Sequence, residues 1–435
     1  MEKFAYLFLF IGVSAVAQQT VTIEQCYQLA QKNYPMIKQY DLIGKTENYT
    51  LDNLSKTFFP QISLSGQATY QTDVTRLVLQ PEAQKLLSQL PEQINPSDLI
   101  STMPKDQYKI YVQASQMIYD GGKTRNGKDI ATASGDVERQ KLDVDLYGIR
   151  EKINQLYFGI LSVDEQMKML DSYYSDLDVM ENTVKSAVKN GVAMSSDIDL
   201  VNVEKLNLDQ KKIELQSERE AFVAMLSIFI GEKLGNNLQL QKPTDTDILS
   251  DEILRPELQL YDKQRRFYEA QRNGIFIKNH PELGVFVQGG YGRPALNMLN
   301  SDFKLYAVGG VQFTWNFGNL YTKKNDLNLI QNNLDILNVQ EETFRFNTQL
   351  QMQQIRPEIE KYKKLINSDN DIVNLHTRIL KTSQSKYDNG VYMMKDLISD
   401  MNAKNIAEQT QSLHHIQYLM SLYDYKYVQG EIRGN

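Results

Sequence analysis

Few residues of this chain have the types and spacing that catalysis or cofactor binding requires. Gly121-Gly122-Lys123-Thr124 resembles the end of a phosphate-binding loop, but Met117 occupies the position where that loop has its first glycine. The four histidines include no pair four residues apart that could bind zinc from one helix face. Asp369-Asn370-Asp371 lacks the glycine and the final glutamate of a calcium loop. We therefore expect no metal site, no cofactor and no enzymatic activity.

Two short segments, 199 residues apart, repeat the same glycine and the same carboxylate. Asn190-Gly191-Val192 with Asp197 recurs as Asn389-Gly390-Val391 with Asp396. A glycine after a helix supplies the positive φ that turns the chain into the next helix. A carboxylate just beyond the turn can cap that helix, or several copies around an opening can attract cations. The repeat predicts an internal duplication, in which each half ends in a helical hairpin.

Composition and charge exclude several classes of protein. The 435 residues include 47 Lys and Arg against 54 Asp and Glu, a net charge of −7, which argues against nucleic acid as a partner. The mean hydropathy is negative, which argues against a bundle of membrane-spanning helices. The single cysteine, Cys26, excludes an internal disulfide.

The N-terminal segment predicts a signal peptide at residues 1–17. An apolar run from Phe4 to Val13 is followed by Ala15-Val16-Ala17, a small-x-small cleavage pattern. The alternative is a buried N-terminal helix, but the run is too short to span a membrane and ends where a peptidase would cut. We therefore expect the mature chain to be exported.

Long helices with the period of coiled coils dominate the rest. Apolar residues step by four and three at Leu142, Leu146, Ile149, Ile153, Leu156, Ile160, Val163, Met167, Leu170, Tyr174 and Leu177. This 3.5-residue repeat predicts helices that pack along their whole length. No helix breaker lies between Thr124 and Lys189, so this segment alone could form a rod of ~100 Å at ~1.5 Å per residue. A return helix is predicted from Met194 to Ile230.

Two predicted strands precede each long helix. In residues 61–71 the even positions are apolar and the odd ones polar, and similar alternation occurs at 110–115, 283–291 and 303–317. Each strand is about ten residues long, enough to cross a bilayer when tilted. Because barrels in membranes start at about eight strands, several chains would have to pool their strands. Two chains would supply eight and three would supply twelve, and the sequence pattern does not choose between them. A small soluble sheet is the alternative.

These features in their order resemble the TolC-like outer-membrane efflux family. The resemblance rests on Thr22-Ile23-Glu24-Gln25, Asn33-Tyr34-Pro35, Phe59-Pro60, Tyr119-Asp120-Gly121-Gly122-Lys123 and the two glycine turns, and it covers the chain from Val21 to Tyr427. It implies a mainly helical, internally duplicated fold, in which three chains build a 12-stranded membrane barrel and a helical barrel in the periplasm. It also implies an outer-membrane exit duct that conducts passively and works with a periplasmic adaptor protein and an inner-membrane pump. The domains would be residues 18–232 for the first repeat, 233–256 for the linker and 257–435 for the second repeat.

The resemblance also implies a gate at the glycine turns. Asp396 and Asp197, six residues after Gly390 and Gly191, would form acidic rings at the periplasmic mouth. The second ring position holds Ser399, so that ring is absent or moved to Asp400. Tyr387 matches a tyrosine that holds the gate closed through a hydrogen bond to Asp197.

Adaptor docking would use the turns themselves, through Gly191, Val192, Gly390 and Val391, although simple helix-turn chemistry explains the glycines equally well. Two other functions remain open. One is a duct of the same fold for a type I protein secretion system, and the other is an exported, soluble coiled-coil scaffold. The long loop at 71–107, with four prolines, would face outward and partly cover the external mouth, unless it is a plain surface insertion.

Overall fold

The computed structural model describes residues 20–74, 80–87, 103–235, 237–244, 250–298 and 300–431. The predicted signal peptide lies outside these residues, and so does much of the predicted loop at 71–107. The chain divides into two compact units, each of which takes segments from both halves of the sequence. The sheet unit contains Asp41–Glu138 and Asp262–Leu337, and the helical unit contains the other described residues.

In chain order the elements are β1 (Thr20–Val21), α1 (Ile23–Asn33), α2 (Gln39–Ser55), β2 (Gln61–Tyr70), α3 (Pro81–Leu87), β3 (Asp106–Tyr119), α4 (Lys123–Lys189), α5 (Ser195–Ile230), β4 (Gln239–Leu240), α6 (Pro256–Ile277), β5 (Glu282–Arg293), β6 (Lys304–Thr314), α7 (Asn319–Asp388) and α8 (Met394–Gln429). Short 3-10 turns follow α1 and α2. The four strands predicted before the long helices are confirmed as β2, β3, β5 and β6.

These four strands form one antiparallel sheet in the order β2-β3-β5-β6. Successive side chains of a strand point to opposite faces, so the register decides which residues share a face. One face is apolar in all four strands, with cross-strand rows Ile62–Ala114–Val287–Gly309, Leu64–Val112–Gly289–Ala307 and Gly66–Ile110–Tyr291–Leu305. The other face carries mainly Ser, Gln, Tyr and Lys. The alternation predicted from the sequence is therefore continuous across the sheet.

The last strand is shorter than its apolar pattern indicates. The pattern runs from Phe303 to Phe317, whereas β6 begins at Lys304 and ends at Thr314. The indole N–H of Trp315 donates to the carbonyl oxygen of Asn279 at 2.9 Å, and the N–H of Gly318 donates to Oδ1 of Asn316 at 3.0 Å. Side-chain hydrogen bonds of this kind favour a turn over a strand, which ends the ladder.

The helical unit is built on two helical hairpins. In the first, α4 returns as α5, and in the second α7 returns as α8. The helix predicted between Thr124 and Lys189 is confirmed as α4. Its predicted stripe forms the core, because nine of its residues are buried: Leu142, Leu146, Ile149, Ile153, Leu156, Ile160, Val163, Leu170 and Leu177. None of the helices in the described part of the chain is long and apolar enough to cross a membrane.

A small parallel pair of strands, β1 and β4, was not predicted. Thr20 pairs with Gln239 and Val21 with Leu240, so part of the predicted linker at 233–256 is tied to the start of the described chain. The buried hydroxyl of Tyr157 donates to the carbonyl oxygen of Gln241 at 2.6 Å and lies 2.9 Å from that of Val21. Strands of two residues have no detectable period, which is why the sequence pattern could not indicate them.

Candidate functional site

The two glycine turns have the same backbone geometry. Gly191 has φ +75° and Gly390 has φ +70°, the left-handed conformation that glycine adopts without strain. At the first turn the N–H of Gly191 donates to the carbonyl oxygen of Val188, and the N–H of Val192 to that of Ala187. Gly390 and Val391 repeat this pattern with Tyr387 and Lys386. Both helices therefore end in a Schellman motif, which satisfies their last carbonyl groups.

Each turn presents two large apolar side chains to solvent. Val192 and Val391 are 80% and 76% exposed, although the residue at this position of a Schellman motif often packs against its own helix. Met194 and Met393, at the N-caps of the return helices, are equally exposed. The two methionines were missed in the sequence analysis. The internal repeat could have indicated them, since Met194 and Met393 are also 199 residues apart.

The carboxylates that follow the two turns have different surroundings. Oδ2 of Asp197 accepts a hydrogen bond from the N–H of Met194 at 3.0 Å, so Asp197 caps α5. Asp396 is exposed at the matching place on α8, and no hydrogen bond or ion pair to any described residue holds its carboxylate. Capping therefore explains Asp197, whereas it does not explain Asp396.

Asp400 is fixed by two hydroxyl groups. The buried hydroxyl of Ser383, on α7, donates to Oδ2 of Asp400 at 2.6 Å, and the hydroxyl of Tyr392 donates to the same oxygen at 3.1 Å. The hydrogen bond to Asp400 raises the pKa of Tyr392, because it favours the protonated phenol. Asp400 thus ties α7, the turn and α8 together near the glycine.

Tyr387 is half-buried against the core of the two hairpins. Burial raises the pKa of its phenol, and the negative charges of Asp197 and Asp388 raise it further. Within the described residues its hydroxyl makes no hydrogen bond to Asp197. The charge of Asp197 therefore acts on the phenol of Tyr387, but no hydrogen bond joins the two side chains.

An open groove of about 400 Å³ lies beside Tyr387, between the first and second hairpins. Residues of α4 such as Val179 and Thr183 line one side, residues of α7 such as Gln384 line the other, and Met401 of α8 lies between them. The floor of this groove is apolar and packed, because Met180 and Val184 of α4 lie in one core cluster with Leu397 and Met401 of α8.

The apolar face of the sheet has an aromatic cluster at each end. At one end the rings of Tyr108 and Tyr291 stack on Phe303, with centroids 6.4 and 5.5 Å away. At the other end Trp315 contacts Phe313 and Phe317, with centroids 6.5 and 4.8 Å away. Ion pairs lie beyond each cluster: Arg293 with Asp106 at the first end and Lys123 with Glu282 at the second.

No three His, Cys, Asp or Glu side chains lie together as a metal-binding group among the residues that the structure describes. The candidate site is therefore one of surfaces and charges: exposed apolar side chains at two turns, carboxylates beside them, and a sheet with an apolar band.

Comparison of the sequence gives no match to a protein-family model or to a curated protein. Comparison of the structure gives outer-membrane channels. The outer-membrane channel OprN is 12% identical, with a TM-score of 0.64 over 94% of this chain and 89% of that one. The Campylobacter jejuni CmeC outer membrane channel is 14% identical, with a TM-score of 0.61 over 94% and 85%. The open state of the Neisseria gonorrhoeae MtrE outer membrane channel is 13% identical, with a TM-score of 0.60 over 94% and 88%. The chain therefore has the fold of these outer-membrane channels, which confirms at the level of fold its resemblance to the TolC-like family.

Proposed function

We propose that this chain is one subunit of an outer-membrane exit duct that serves a tripartite efflux system. Three copies would close a 12-stranded barrel in the outer membrane and a helical barrel in the periplasm. The duct would conduct substrates passively from a periplasmic adaptor and an inner-membrane pump to the exterior, and it would be gated at the glycine turns.

The observation that carries this proposal is the sheet. Its apolar face is continuous over four strands, and the side chains of its edge strands are uncovered: Ile62 is 75% exposed and Leu305 is 83% exposed. From the row of Leu283 to the row of Tyr291 the band measures ~26 Å along the strand at ~3.3 Å per residue. Tilted strands of this length cover most of the ~25 Å apolar band of a membrane barrel, and the aromatic clusters at both ends match its two interfaces.

The edges of the sheet support closure by further copies. Each neighbouring pair of strands is antiparallel, so β2 and β6 run in opposite directions. The β6 edge of one copy can therefore pair with the β2 edge of the next in the same antiparallel pattern. Open edges are not tolerated in lipid, which favours closure into a barrel. The resemblance to trimeric channels favours three copies over two.

An uncovered stripe on α7 supports contact between copies in the helical unit. Val339, Phe346 and Leu350 are 60%, 62% and 53% exposed and are spaced by seven and four residues. This is the seam of a coiled coil without its partner helix. A second copy of the chain would cover it.

At the turns, we assign the gate to Asp396, Asp400, Asp197 and Tyr387. Three copies of the unpaired Asp396 around a narrow opening would attract cations and repel anions. Asp400 and Asp197 would act mainly by fixing the turns, because both accept hydrogen bonds from neighbouring groups. Adaptor docking would use the two turns, through Gly191 with Val192 and Gly390 with Val391. The exposed Met194 and Met393 would add to this apolar surface.

The test is the conductance of the purified mature chain in a planar bilayer. We expect small, cation-favouring currents in the wild type and larger or less selective currents in Asp396→Ala. Glu214→Ala, which removes an exposed carboxylate from the middle of α5, is the matched control and should not change them. Unchanged currents in Asp396→Ala would mean that Asp400 or Asp197 forms the gate instead. A chain that neither inserts nor conducts would overturn the duct and favour a soluble scaffold.

A further inference from the structure

Two lysines lie in one row on the polar face of the sheet. The register aligns Gln67, Lys109, Gly292 and Lys304 across the four strands. Neither lysine forms a hydrogen bond or ion pair through its side chain with any described residue. The row lies at the end of the sheet that carries Tyr291, Phe303 and Tyr108, where the hairpin loops rather than the long helices connect the strands.

Glycines of β5 make room for this row. A Cβ atom on Gly292 would lie 2.9 Å from Cγ of Lys109, so the Lys109 stem occupies the space above β5 on the side toward Lys304. One row below, a Cβ on Gly290 would lie 2.7 Å from Cβ of Tyr111 and 2.9 Å from Cζ of Tyr306. The polar face therefore has a basic row next to a tyrosine row, and both depend on the missing side chains of β5.

The charge of this row is not cancelled within the strands. Asp106 forms an ion pair with Arg293, and its position in β3 places it on the apolar face of the sheet. Just outside the strands at this end, the charged residues are Asp73, Lys105 and Asp302, none of which lies in the row itself. Glu282 is on the same face, but it lies at the opposite end of β5 and pairs with Lys123, so the two positive charges of this row remain.

We propose that Lys109 and Lys304 form a belt of positive charge inside the exit of the duct, which favours the passage of small organic and inorganic anions such as carboxylates. This inference rests on the proposed function, since only closure of the apolar face toward lipid turns the polar face toward the lumen. In three copies the belt would contain six ammonium groups. Its sign is opposite to that of Asp396 at the turns, so the two ends of the duct would select differently.

The first test measures the cation-to-anion permeability ratio from reversal potentials in a salt gradient. The double variant Lys109→Gln with Lys304→Gln should raise this ratio by about twofold or more, because a unit charge within ~8 Å changes local ion concentrations by about twofold in water. Lys109→Arg with Lys304→Arg keeps the charge and should leave the ratio unchanged. A permeability ratio that does not rise in the Gln variant would contradict the lysine belt.

The second test needs no current. Gln67→Cys places a thiol beside Lys109, and the single native Cys26 is fully buried. In the purified protein this thiol should react faster with an anionic methanethiosulfonate than with a cationic one, relative to a free thiol. The added Lys109→Gln and Lys304→Gln changes should reduce that preference about twofold or more.

The two tests separate the proposals. If no variant conducts, the duct is overturned, and the lysine belt with it. This holds even if the thiol still prefers the anionic reagent. Currents that persist with an unchanged permeability ratio in the Gln variant, or an unchanged thiol preference, would overturn the lysine belt alone.

Discussion

Lys212 and Gln411 occupy matching places in the two helical hairpins, but only Lys212 forms an ion pair. Nζ of Lys212 lies 2.7 Å from Oδ1 of Asp171, across α5 and α4. Nε2 of Gln411 donates to Oδ1 of Asn370 at 2.7 Å, across α8 and α7. Both members of the second pair follow those of the first by 199 residues. The two hairpins thus have the same register and different chemistry.

The first hairpin repeats its ion pair every seven residues. Lys205, Lys212 and Arg219 on α5 pair with Asp178, Asp171 and Asp164 on α4. Opposite charges at heptad spacing specify the register of two antiparallel helices. At the matching places α8 has Lys404, Gln411 and Tyr418, and Lys404 pairs with Glu408 on its own helix. Charge therefore joins the helices of the first hairpin at three places, whereas at Gln411 a neutral hydrogen bond joins those of the second.

Among these ion pairs, Lys205 should matter most for stability. It contacts both Asp178 and Glu181, lies 4.9 Å from the ring centroid of Tyr174, and has a raised pKa because of its hydrogen bonds to the two carboxylates. We expect Lys205→Gln to lower the free energy of unfolding by about 1–2 kcal/mol, and Lys212→Gln, at a more exposed pair, by at most about 0.5 kcal/mol. Urea denaturation of the two variants at low and high salt would measure this. Equal losses for both would contradict the ranking.

Much of the fold could be predicted from sequence, because long elements repeat their signal many times. The stripe of α4 repeats over eleven apolar positions, and each strand of the sheet alternates over about ten. The strand β4 could not be predicted, since two residues have no period. Trp315 continues the alternation of β6 but forms a hydrogen bond outside the ladder, which the residue types do not reveal.

The candidate site was predictable in its positions and not in its contacts. Gly191 and Gly390 were visible as repeats, but nothing in the sequence distinguishes Asp197, which caps a helix, from Asp396, which does not. That difference depends on where the carboxylate of each residue lies in three dimensions. The same holds for Asp400, whose hydrogen bond to Ser383 joins residues of two helices.

Removal of the Tyr387 hydroxyl should weaken the closed state of the proposed gate. The phenol lies near Asp197, and in a closed duct it is the group that could donate to that carboxylate. A hydrogen bond contributes about 0.5–1.5 kcal/mol, so Tyr387→Phe should raise the open fraction about twofold to tenfold. Single-channel recording would show this as longer openings. Tyr49→Phe, at an exposed tyrosine of α2, is the control, and identical openings in both variants would contradict a gating role for the hydroxyl.

The exposed valines of the turns should matter for adaptor docking and not for conduction. Val192→Asp with Val391→Asp places charges where an apolar contact is proposed, and burial of each valine would contribute about 1.5 kcal/mol. We expect adaptor binding to weaken about tenfold or more, with currents in planar bilayers close to those of the wild type. Val192→Thr with Val391→Thr keeps the shape and should weaken binding less. Full adaptor binding by the Asp variant would show that the adaptor docks elsewhere.

The last prediction concerns Asp424 on α8. Burial raises the pKa of its carboxyl to about 6, and the nearby charges of Glu151 and Glu358 add to the effect. Because the pKa is higher in the folded state, the folded protein binds the proton more tightly than the unfolded chain between pH 4 and 6. Stability from this group is therefore complete at low pH and falls as the pH rises through this range, by at most about 3 kcal/mol.

Asp424→Asn removes the charge and keeps the size of the side chain. We expect the variant to be more stable than the wild type at pH 8, where the wild-type carboxylate is charged, and the difference to disappear near pH 4. Heat denaturation of the purified protein at both pH values would measure it, with Asp209→Asn, at an exposed aspartate of α5, as the control for net charge. A gain in stability that is the same at pH 4 and pH 8 would mean that Asp424 does not titrate in this range.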